Sequence, residues 1–153
     1  MASADYINSM NQDFPYITES NSSQTSPATT EYNCIAWAYG RDDVWCWPDA
    51  EEQYFWPISR REDSINAFEE LFSSIGYSRC TDASKEDGFL KIVLYVNREG
   101  RPTHAARQLI TGKWTSKLGN GIDIEHDSPE VLNGPAYGIA NIFMKRKTDA
   151  CQL

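Results

Sequence analysis

The chain has 153 residues, 41% of them apolar and 24% charged, which is ordinary globular usage and enough for one domain with a buried core. A net charge of -8, with the 14 basic residues scattered apart from Lys145-Arg146-Lys147, argues against nucleic acid as a partner. No apolar run reaches membrane-spanning length and the N-terminus lacks a signal peptide's basic and apolar regions, so a soluble protein with no membrane partner is expected, cytoplasmic or exported by a signal-peptide-independent route.

Residues 1–30 are rich in Ser, Thr, Asn and Gln, a composition that buries little, and predict a flexible polar arm. The folded domain is expected over 31–147, with 148–153 as a tail. Asn33 is a good N-cap for the apolar Cys34-Ile35-Ala36-Trp37-Ala38-Tyr39, and Gly40 suits the left-handed position that ends a helix. Two aromatic clusters, Val44 to Pro48 and Tyr54 to Pro57, bracket an acidic segment and read as an ordered irregular loop. From Asp63 to Ile75 the apolar Ile65, Phe68, Leu71, Phe72 and Ile75 fall on one helical stripe, with Gly76 just beyond.

From Tyr77 the period changes to that of strands. Tyr77 to Cys80 reads as a short edge strand and Phe89 to Val96 as a long one. Thr103 to Ile110 and Lys113 to Leu118 follow after short turns, completing a meander. Gly119 to Asp127 reads as a polar connection, Ser128 to Leu132 as one helical turn, and Ala136 to Met144 as a last strand. Helices first and an antiparallel sheet afterwards predict an α+β fold with N-terminal helices packed on a β-meander.

Four cysteines at 34, 46, 80 and 151 have no zinc or disulfide spacing and read as free thiols. Cys34 follows its helix cap directly, where backbone N–H groups and the helix dipole favour a thiolate and offer donors to an oxyanion. A thiol pKa below the ordinary value is therefore expected. His104 opens a strand beside small residues and is the candidate base. Hairpin geometry puts residues 116 to 120 across from it, so Ser116 is favoured as the group that orients the imidazole. Lys117 stands beside it but would not orient an imidazolium, and Glu125, His126 and Asp127 are the alternatives. No metal or other cofactor is implied, since two histidines without convergent ligands are a weak zinc signal.

The segments Asn33 to Ala38, Arg101 to Gln108, Gly112 to Gly119 and Ile124 to His126 resemble a family of small bacterial domains related in layout to papain-like cysteine hydrolases of the NlpC and CHAP type, over about residues 31–145. The resemblance implies a papain-like fold in which Cys34 is the nucleophile, His104 the base and Ser116 the orienting residue. A thiol-dependent hydrolase or acyltransferase (a peptidase, amidase or deamidase), with a peptide, protein or small amide as substrate, is the resulting expectation. The alternatives are a noncatalytic interaction domain using Trp45, Trp47, Tyr54 and Trp56 as a contact surface, and a delivered effector of the same fold.

Overall fold

A computed structural model describes residues 10–118 and 121–148. In chain order its elements are β1 (Ser22–Ser26), α1 (Cys34–Tyr39), α2 (Ile65–Ser73), β2 (Ser78–Cys80), β3 (Phe89–Val96), β4 (Pro102–Gln108), β5 (Trp114–Lys117), β6 (Asp123–His126), a 3-10 turn (Pro129–Leu132) and β7 (Ile139–Lys147). The strands form one seven-stranded sheet in the order β1-β6-β5-β4-β3-β7-β2, with every neighbouring pair antiparallel.

This corrects the expected papain-like α+β layout of N-terminal helices packed on a meander. The sheet dominates, and of the two α-helices among the described residues only α2 exceeds two turns, with 9 residues against 6 in α1. The β3-β4-β5 meander is its centre, but β7 and β2 extend one side while β6 and β1 extend the other. β6 lies within the stretch expected to be a polar connection.

The physical reason lies in β3, whose Ile92 to Tyr95 are all fully buried although successive side chains point to opposite faces. Both faces of the sheet must therefore be covered. On one face, Ile92, Leu94, Ala105, Ile142 and Met144 pack against α1, α2 and the aromatic loop. On the other, Val93, Tyr95, Ala106, Trp114 and Ile124 pack against Val131, Leu132, Phe14 and Ile17.

That second cover corrects the expected arm, because Phe14 and Ile17 are buried and Ser22–Ser26 joins the sheet. Its polar residues shape turns. The Asn11 amide donates to the Ile17 carbonyl at 3.0 Å, and Asn21 donates to the Tyr16 carbonyl at 2.9 Å while accepting from the Thr18 N–H at 2.8 Å. Residues 1–9 of the expected arm and 149–153 of the expected tail lie outside the described residues. Among the described residues, no helix is long and apolar enough to cross a membrane.

Candidate active site

Asn33 caps α1 by accepting from the Ala36 N–H at 3.1 Å, and it also clasps Cys46 through both backbone groups, at 3.0 Å to N and 2.8 Å to O. Gly40 ends the helix with φ of 106°. The Trp37 indole donates to Thr115 Oγ1 at 3.0 Å, tying α1 to β5. These contacts set Cys34 in the first turn, buried between helix and sheet.

Burial pushes the Cys34 thiol up to about 11, against the opposing pull of the Ala105, Ile35 and Cys34 backbone N–H groups and of Lys117. This corrects the expected low pKa. A helix of 6 residues has a weak end field, and desolvation outweighs it.

β4 carries His104 one residue before Ala105. Strand alternation sends Ala105 toward α1 and His104 to the other face, where Tyr95 is its cross-strand partner. A bulge shifts the β3–β4 register between Tyr95 and Val96, and the β4–β5 pairing covers only Arg107 with Thr115 and Gln108 with Trp114, so the ladder stops short of His104.

The imidazole is fully buried, edge-on to Tyr95 at 5.1 Å between centroids and stacked on Tyr137 at 4.0 Å with 6° between planes. Its Nε2 lies 3.0 Å from Ser116 Oγ, whereas Nδ1 has no hydrogen-bond partner among the described residues. Burial, and to a smaller extent His126, hold its pKa well below the ordinary histidine value.

The structure thus brings His104 and Ser116 together and adds His126, whose Nε2 is 2.8 Å from Ser116 Oγ and whose Nδ1 is 2.9 Å from the Ser128 carbonyl. Glu125 and Asp127 lie elsewhere, facing Lys113 at 3.9 and 3.6 Å. Lys117 donates to the Thr29 and Gly121 carbonyls and lies over the Tyr32 ring. In the aromatic loop, Trp47 and Trp56 pack on Phe68, while Trp45 meets Tyr54. Among the described residues no group of three His, Cys, Asp or Glu gathers as metal ligands.

Tyr137 escapes a sequence reading, because nothing in the turn signal Asn133-Gly134-Pro135 says that the next aromatic folds onto a histidine. Its phenol is pushed well up by burial, then by Cys34 and Asp13, so the ring that covers His104 also reaches the electrostatic neighbourhood of the thiol. Phe14 also packs on Tyr137, with 5.2 Å between ring centroids. A groove of about 810 Å³ runs beside this loop, lined in part by Ala136, Gly138, Val96 and Tyr16.

A family model described as a domain of unknown function, DUF7689, matches residues 23–145. The chain belongs to this family. No curated protein and no solved structure matches it. The DUF7689 match begins within β1 and ends within β7, so it spans Cys34, His104, Ser116, His126 and Tyr137.

Proposed function

We propose that this domain performs acyl chemistry at an amide or ester carbon, with Cys34 as nucleophile and His104 Nδ1 as the base that takes its proton. The observation that carries the reading is the state of the imidazole. One ring nitrogen is held by Ser116, and the other is buried with nothing to bond, an arrangement that normally carries a desolvation cost and is kept where chemistry uses it. Further support comes from the Ala105 N–H, next in the chain to His104, which favours charge on the Cys34 sulfur.

Both partners are neutral at rest, since burial raises the thiol and lowers the imidazole. The step is therefore general-base attack rather than reaction of a preformed thiolate. Sulfur bonds to the carbonyl carbon as its proton passes to Nδ1. The proton then goes to the leaving amine or alcohol, and water or a second nucleophile releases the acyl group from sulfur. The Cys34 and Ile35 N–H groups would stabilise the oxyanion. The substrate would be a peptide, a protein or a small amide.

The test is acylation by p-nitrophenyl acetate followed by peptide mapping. Acetyl thioester on Cys34 is expected to form about 10²-fold more slowly in His104→Ala than in the native chain. His104→Gln, with the melting curve as a check on folding, guards against collapse of the variant. Equal rates in folded variant and native protein would remove the catalytic reading.

A further inference from the structure

The hydrogen bonds behind His104 run in one direction, and that direction can be worked out atom by atom. The Ser128 carbonyl only accepts, so the His126 Nδ1 that lies 2.9 Å away carries a hydrogen. His126 is fully buried, and burial pushes its pKa down to about 4 despite the Ser128 carbonyl and Asp127. Its ring is thus neutral, and Nε2 holds a lone pair. The Ser116 hydroxyl, 2.8 Å from that atom, must donate to it. Ser116 Oγ then accepts from His104 Nε2–H at 3.0 Å. A neutral His104 with its hydrogen on Nε2 has its lone pair on Nδ1, the one ring atom here without a partner.

We propose that His104, Ser116 and His126 form a directional proton relay, in which His126 is a positioning residue that fixes His104 in the Nε2–H form and can receive the proton that Cys34 releases. This rests on the reading of Cys34 and His104 given above. The transfer balances. The thiol proton goes to His104 Nδ1, the His104 Nε2 proton goes to Ser116 Oγ, and the original Ser116 proton goes to His126 Nε2. Because sulfur bonds to the carbonyl carbon as its proton leaves, what remains is an oxyanion on the substrate, a neutral His104 in the opposite tautomer, a neutral Ser116 and a His126 imidazolium. Both N–H groups of that imidazolium keep acceptors, in Ser116 Oγ and the Ser128 carbonyl, and Asp127 favours its charge.

A serine alone is a poor anchor for an imidazole because its hydroxyl can donate as well as accept. The second histidine removes the choice, which explains why Ser can stand at the orienting position. Groups that act through another residue in this way are recognised by tautomer and not by contact with substrate.

The experiment is a long-range ¹H–¹⁵N spectrum of the full chain labelled on its two histidines, recorded at neutral pH. His104 is expected in the Nε2–H form and His126 in the Nδ1–H form. His126→Phe or Ser116→Ala should raise the Nδ1–H fraction of His104 to roughly half, and His126→Gln, whose amide oxygen still accepts from Ser116, should restore the native form. Acylation of Cys34 should slow roughly tenfold in His126→Phe. An Nδ1–H form of His104 in the native chain would overturn the relay, as would an unchanged tautomer in folded Ser116→Ala. The two proposals fail separately: tautomers as expected with no His104-dependent acylation would sink the enzyme reading alone, and His104-dependent acylation with the wrong tautomer would sink the relay alone.

Discussion

Cys34 shows how one position can satisfy a local rule and violate the inference drawn from it. Asn33 caps the helix and Cys34 occupies the first turn, but the thiol faces a closed interior and is pushed up to about 11. The consequence is a particular pH profile. His104 Nδ1 is unprotonated above its lowered pKa, so acylation of Cys34 should be nearly flat from about pH 6 to about pH 9 and fall only at more acidic pH. In His104→Ala the rate should instead climb about tenfold per pH unit toward about pH 11, following the thiol itself. Stopped-flow measurement of p-nitrophenolate release across this range separates the two shapes. An inflection near about 8.5 in the native protein would mean a solvent-exposed thiol with no coupled base.

At the scale of elements, the N-terminal segment carries more of the structure than its composition suggests. Phe14 fills the face of the sheet opposite the helices and packs on Tyr137, while Gly134 comes so close to Asp13 and Pro15 that a Cβ there would lie 2.7 Å from their atoms. Phe14→Ala should therefore cost about 3 kcal/mol, lowering Tm by roughly 6–12 °C in a chain of this size. A calorimetric shift below about 2 °C would show that the segment is peripheral. The strand Phe89–Val96 already held this information. The unbroken apolar run Ile92 to Val96 needs two covers, and α1 and α2 supply one. Which segment supplies the other was hidden, because Ser, Asn and Gln can build turns and edge strands through the backbone without any apolar period.

For the molecule as a whole, two buried neutral histidines link stability to pH. Their folded pKa values lie below the unfolded value of about 6.5, so the folded state binds fewer protons between the two. Stability is fully present above about pH 6.5 and is lost as pH falls toward the folded value, about 4 for His126. His126 alone accounts for about 3 kcal/mol across that window. Urea titrations at pH 7 and pH 4.5 should show this loss, and His126→Phe should flatten it. Paired carboxylates such as Glu86 and Asp82, lowered by hydrogen bonds to Lys145 and Lys91 and to Ser84 respectively, act in a separate window at lower pH. An identical pH dependence in native protein and His126→Phe would mean that His126 has the same pKa in the folded and unfolded states.

The sequence by itself determined what rests on neighbours along the chain: the Asn33 cap and Gly40 stop of α1, the stripe of α2, and the three strands at the centre of the sheet. It also put Ser116 within reach of His104, because hairpin geometry limits what can stand beside a histidine on the next strand. Only the tertiary structure decided that Phe14, Ile17 and β1 close the sheet, that Tyr137 covers His104, and that Ser116 is backed by His126. Those outcomes depend on which faces remain uncovered once the strands have paired. Burial then sets the protonation of Cys34 and both histidines, and burial belongs to the assembled fold, not to any stretch of sequence.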